Sequence, residues 1–255
     1  RADGAIMNLY LTDGTEEVFF TAAFRACTDA DCVVTSARNV QLAAGAELID
    51  VQTDAERCER VRRFLRRYDA RSLGEISLLL RRGCATKEMT ALGYLRLIVQ
   101  RRAPVRDMLA HPAVLEAMSE IKKVTQEAHR FKGFLRFMEC SNGIYYAPFE
   151  PDNDVLELLF PHFARRFAAM PFAIHDVARQ KAMLSDGRRR MLVHTEEKVD
   201  IPLSEGEQTM QALWKEYYAS VNIAQRPHEK QMKGYMPVRY WKFLPEKQEE
   251  PKRPQ

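Results

Sequence analysis

The sequence predicts an α+β protein in which a helix-rich amino-terminal half leads into an antiparallel sheet of about five strands flanked by helices. Three observations predict it. Apolar residues recur at helical spacing through most of residues 57–127, the period falls to two after residue 130, and turn signals such as Ser141-Asn142-Gly143 and Ser185-Asp186-Gly187 separate the alternating runs. No repeat or Pro/Gly/Ser-rich linker divides the chain, so a mostly helical region at 1–110, an α+β region at 111–247 and a disordered tail at 248–255 share soft boundaries.

The first elements are short. Residues 6–11 form a strand ending at Asp13-Gly14, and Glu16 to Cys27 form a helix with Val18, Phe19, Ala22, Ala23 and Ala26 on one face. Cys32–Thr35 and Leu48–Val51 are expected to pair as strands, and Thr53-Asp54 precedes helices over 57–68, 73–82, 88–102 and 112–127. Phe134–Glu139 alternates, Asn142-Gly143 turns, and Ile144–Ala147 runs back as the second arm of a hairpin. Asp152 or Asn153 is expected to cap a helix through Phe167, with Pro161 as a place where a new turn would begin. Phe172–His175, Lys181–Leu184 and Arg190–His194 complete the sheet. Ser204 and Glu207 have the spacing of a capping box, starting a helix through Ala219 that partly buries Leu213, Trp214, Tyr217 and Tyr218.

Composition narrows the function classes. A chain of 255 residues with 46% apolar and 29% charged residues is long enough for one sizeable core or two smaller ones, and its net charge of +4 leaves any nucleic-acid face to local clustering. Five cysteines, an odd number in a chain this long, favour reduced thiols and a cytoplasmic location; no apolar run reaches the roughly 18–20 residues of a membrane span. There is no GxxxxGK[ST] loop, GxGxxG turn, GxSxG elbow, HExxH or CxxC pair, so neither a cofactor nor a metal site is expected.

Three basic stretches remain. Pro227 to Glu246 sets Lys230, Lys233, Arg239 and Lys242 among Tyr235, Tyr240 and Trp241, a mixture suited to phosphate contact and base stacking. His129 to Phe137 alternates basic and aromatic residues; as a strand it would turn Lys132 and Arg136 to one side, with Arg130 beside them, and it serves equally as a hairpin with one core face. Arg57, Arg60, Arg62, Arg63, Arg66, Arg67 and Arg71 make a helix ridge, with Arg60, Arg63 and Arg67 on one face, which is either a solvated surface or a contact for phosphates. His129, His175 and Asp176 are the candidates for acid/base chemistry, on condition that they converge; adjacent strand residues such as His175 and Asp176 point to opposite faces.

The runs HRFKGFLRF (129–137), EPDNDVLELLFPHFARRF (150–167), FAIHD (172–176), LWKEYYASVNIAQR (213–226) and MPVRYWKFLPE (236–246) resemble an uncharacterised bacterial family associated with DNA metabolism and repair. Its members are encoded beside a radical S-adenosylmethionine protein or occur fused to a domain resembling uracil-DNA glycosylase. The resemblance covers residues 120–247 best. It implies a DNA-binding accessory role beside a radical enzyme, whose iron–sulfur cluster this chain does not supply, since it lacks the CxxxCxxC pattern. An enzyme acting on a modified nucleotide and a protein–protein scaffold are the alternatives. Nucleic-acid contacts are expected from Arg130, Lys132, Arg136, Lys230, Lys233, Arg239, Tyr240, Trp241 and Lys242.

Overall fold

The computed structural model describes residues 7–39, 45–195, 202–220 and 233–248. It divides into two compact units, Arg1–Gln126 and Glu127–Gln255. The segments of the sequence readings at 1–6, 221–232 (with Lys230) and 249–255 lie outside the described residues.

The first unit begins with β1 (Asn8–Leu11), α1 (Glu16–Ala26), β2 (Cys32–Thr35) and β3 (Glu47–Asp50). The Thr15 hydroxyl caps α1 by accepting the Val18 N–H. Cys32–Thr35 and Glu47–Asp50 are strands, but they do not pair with each other: both lie parallel to β1, in the order β2-β1-β3. The physical reason is the α1 crossover, which returns the chain parallel to β1, while buried Leu9 and Tyr10 suit β1 to the centre.

Four helices follow: α2 (Ala55–Asp69), α3 (Arg71–Leu80), α4 (Lys87–Arg101) and α5 (Pro112–Phe134), the division between units falling within α5. Asp54 caps α2 through a 3.0 Å bond from the Arg57 N–H. Phe19, Phe20, Val34, Leu65, Ile76, Leu92, Leu95 and Ile98 fill the core of this unit. Polar groups are buried as well, Glu75 among them: it accepts the Tyr94 hydroxyl at 2.6 Å and pairs with Arg106.

The second unit contains β4 (Met138–Glu139), β5 (Tyr145–Phe149), α6 (Leu156–Phe167), β6 (Phe172–Asp176), β7 (Lys181–Ser185), β8 (Arg190–His194) and α7 (Glu205–Ser220). Short 3-10 helices cover Val238–Phe243 and Pro245–Lys247. The five strands lie side by side in chain order with helices around them, as the sequence predicts. The sheet is nevertheless mixed, because α6 carries the chain back before β6 and makes β5 and β6 parallel; the other pairs are antiparallel.

Three local expectations change. His129–Phe134 is the end of α5 and not a strand, because Val124, Ala128, Phe131 and Leu135 are buried at helical spacing and this period overrides the alternation of bases and rings. No side chain caps α6, and the helix runs through Pro161. The Ser204–Glu207 pair does not close a capping box. The Ser204 hydroxyl donates to the Glu139 carboxylate, and Glu207 accepts the Glu139 N–H at 2.8 Å, so the two residues staple α7 to β4. Leu213, Trp214 and Tyr217 are left exposed.

Rings dominate the second core. Phe137 lies 5.0 and 4.5 Å from the Phe163 and Phe167 centroids, and Phe131 packs on Phe149 and Tyr240. Among the described residues, no helix is long and apolar enough to cross a membrane.

Candidate nucleic-acid interface

The carboxy-terminal basic segment meets an acidic loop. In the sequence EPDND, Glu150 pairs with Lys242, Asp152 with Arg239 at 2.7 Å, and Asp154 with Lys181 at 2.5 Å. Beneath this loop, Glu127 is 4% exposed and accepts the backbone N–H groups of Asp152 and Asn153, the Asn153 amide and the Tyr240 hydroxyl. Tyr240 is itself 2% exposed, and burial together with the neighbouring Glu127 carboxylate pushes its hydroxyl pKa upward. Trp241 is half-buried and donates its indole N–H to the Met236 carbonyl at 3.1 Å. Arg136 binds Glu246 at 2.6 Å, a carboxylate whose side chain is 1% exposed.

The expected face of cations and rings on this segment is therefore replaced by a clasp. Arg136, Arg239 and Lys242 already have carboxylate partners, and Tyr240 has no exposed ring to stack on a base. Lys233 and Tyr235 are exposed. The exposed pairs contribute little stability, about 0–1 kcal/mol each. Their effect is electrostatic: each cancels a charge that a polyanion would otherwise meet.

The acid/base candidates do not converge. His129 is exposed on α5. His175 is buried on β6, with one ring nitrogen 2.6 Å from the Tyr146 hydroxyl and the other 3.1 Å from that of Thr195. Burial holds His175 below the ordinary histidine value, against the opposing pull of Asp176, and pushes the Tyr146 hydroxyl up to about 12. Asp176 is fully buried and binds the Arg179 guanidinium at 3.0 Å. Arg179 in turn donates to the carbonyls of Pro151 and Asp152, so Asp176 braces the acidic loop. Among the described residues, no group of three His, Cys, Asp or Glu side chains is arranged to hold a metal ion.

A different place in the second unit combines cations with accessible rings. The end of α5, β4, the end of α6 and α7 enclose a cleft of about 840 Å³, lined by Lys132, Arg136 and Arg166 together with Tyr145, Phe167, Met170, Met210 and Trp214. Trp214 is 39% exposed, and the Arg136 guanidinium lies 5.2 Å from its ring centroid. Lys132, Arg165 and Arg166 have no carboxylate partner among the described residues. His162 lies within their field: burial first, then Lys132, Arg165 and Arg166, lower its pKa. Glu139 and Glu207 also line the cleft, but both are engaged in the α7–β4 staple.

The structure thus brings Lys132 and Arg136 together in one cleft; Arg130, also on α5, does not line it. Arg166, Tyr145 and Trp214 are the contributors that sequence reasoning missed as site residues. The adjacent arginines of FPHFARRF were the available signal, hidden by their apolar surroundings. A cleft with cations at one side and a ring wall suits an anionic ligand bearing a flat ring system.

A family model for a domain of unknown function, DUF4130, matches residues 85–246, more than half of the chain, and the protein belongs to that family. None of the curated proteins and none of the solved structures matches it.

Proposed function

We propose that this protein is a nucleic-acid-binding accessory factor in DNA repair or modification, working beside a radical S-adenosylmethionine partner. The carrying observation is the cleft in which Trp214 and Tyr145 stand beside Lys132, Arg136 and Arg166. Unstacked bases suit such a wall: stacking on an aromatic side chain contributes about 1–3 kcal/mol per base, and Lys132 and Arg166 meet the phosphates while Arg136, held by Glu246, lies against the Trp214 ring. The repair context and the radical partner rest on the sequence resemblance alone.

Fluorescence anisotropy with a labelled single-stranded oligonucleotide tests this reading. Trp214→Ala is expected to weaken binding by roughly 5–150-fold, equivalent to one stacked base, without lowering the melting temperature appreciably. Unchanged affinity would refute the stacking role. A scaffold role is the second reading, favoured by the exposed stripe of Met210, Leu213, Trp214 and Tyr217 along α7. Copurification with the radical enzyme after nuclease treatment, lost on substituting Leu213 and Tyr217 but not Lys132, would support it.

A further inference from the structure

We infer that α2 carries a second, separate binding surface, a phosphate-backbone contact formed by Arg60, Arg63 and Arg67. Four neighbouring arginines do not belong to it. Arg57 pairs with Asp54, Arg62 with both Glu16 and Glu17, Arg66 with Glu59, and Arg71 with Glu75. The first three hold α2 to its surroundings or cancel a neighbouring acid, and Arg71 is paired within α3. Arg60, Arg63 and Arg67 are exposed and have no carboxylate partner among the described residues.

The three occupy one face by the i, i+3, i+7 rule. Only Glu56, in the first helical turn, continues that stripe, and Glu59 at its margin is held by Arg66 at 2.6 Å. Two of the three are also steadied by rings: Arg60 lies 4.9 Å from the Phe24 centroid and Arg67 5.4 Å from that of Tyr68. Such stacking leaves the guanidinium edge and its donors outward for an anion.

Spacing and surroundings select the ligand class. At about 1.5 Å rise per residue, Arg60 to Arg67 spans about 10.5 Å. One strand of duplex DNA presents a phosphate about every 3.4 Å of axis, so the ridge covers about three such spacings, enough for each arginine to meet its own phosphate. A membrane surface would call for apolar side chains to insert alongside, and α2 exposes no large hydrophobic residue. Phe64 and Tyr68 are half-buried, so the ridge grips the backbone and reads no base. The ridge belongs to the first unit and the cleft residues to the second, and the ridge predicts affinity for duplex as well as single strands.

The test uses the full chain and a labelled duplex of about 20 base pairs, with affinity measured from about 50 to about 200 mM salt. In the triple variant Arg60→Gln, Arg63→Gln, Arg67→Gln, the slope of log affinity against log salt should fall by about 2.7, which makes the loss of binding over that range roughly 40-fold smaller than in the wild type. The triple variant to lysine keeps the charges, and should keep the slope while weakening binding modestly. Circular dichroism melting confirms that both variants fold. An unchanged slope in the glutamine variant, or no duplex binding by the wild type, overturns the proposal. So does loss of sedimentation with phosphatidylserine vesicles when duplex binding is unaltered. Trp214→Ala should leave the duplex slope intact, which separates failure of the ridge from failure of the cleft.

Discussion

The basic stretch of α2 and the basic stretch near the carboxy terminus look alike as sequence and behave oppositely in the fold. On α2 the cations alternate in role: Arg57, Arg62 and Arg66 have carboxylates, and Arg60, Arg63 and Arg67 keep their charge exposed. At the other end, Arg239 and Lys242 sit on Asp152 and Glu150, and Tyr240 is drawn beneath them onto Glu127. The lesson is that density of positive residues does not define a polyanion surface. What decides it is whether each cation already has a local anion, and in the second unit the EPDND loop supplies one for Lys181, Arg239 and Lys242.

The largest expected effect tests the clasp at its centre. Glu127→Ala removes the acceptor for Asp152, Asn153 and Tyr240 together and leaves buried donors without partners, so urea denaturation should show a loss of about 3–5 kcal/mol. A loss below about 1 kcal/mol would mean that the clasp contributes little. Tyr240→Phe keeps the ring against Phe131 and deletes only the hydroxyl. It should cost about 0.5–1.5 kcal/mol and leave nucleic-acid affinity unchanged, whereas a drop in affinity at full stability would return Tyr240 to the interface.

Acid provides a smaller effect. With its folded pKa held below the ordinary value of 6.5, His175 takes up a proton more readily in the unfolded chain than in the folded one. Stability from this site is therefore complete above pH 6.5 and falls as the pH drops towards and through the folded value. Asp176, raised above 3.8 by burial against the opposing Arg179, has the opposite sign: its folded form holds the proton more tightly, which favours folding at low pH. Urea midpoints measured through this range should decline on acidification in the wild type and decline less in His175→Gln. An identical slope in the two proteins would count against a buried, neutral His175.

Much of the fold was legible because its signals are local. Apolar spacing gave α1 to α4 and their order, Ser185-Asp186-Gly187 gave the β7–β8 turn, and Phe172–His175 gave all of β6 but its last residue. The local signal misled at His129–Phe134, where a pattern of rings and bases had both a strand and a helix interpretation, and burial of Phe131 and Leu135 four residues apart decided for the helix. The ion pairs were illegible for a different reason. Arg136 meets a carboxylate 110 residues away and Tyr240 reaches one 113 residues away, separations at which no spacing rule operates. Lys132 and Arg136 were readable as candidates, yet their companions Arg166 and Trp214 come from helices that only the tertiary fold brings beside them.

The most direct measurement compares two double variants of the second unit on the same single-stranded oligonucleotide across a salt series. Lys132→Gln with Arg166→Gln removes unpaired cations, and Arg239→Gln with Lys242→Gln removes cations that already have carboxylates. The first pair is expected to lower the salt slope by about 1.4 and the second to leave it close to wild type. A slope that falls for the second pair and stays constant for the first would contradict that expectation.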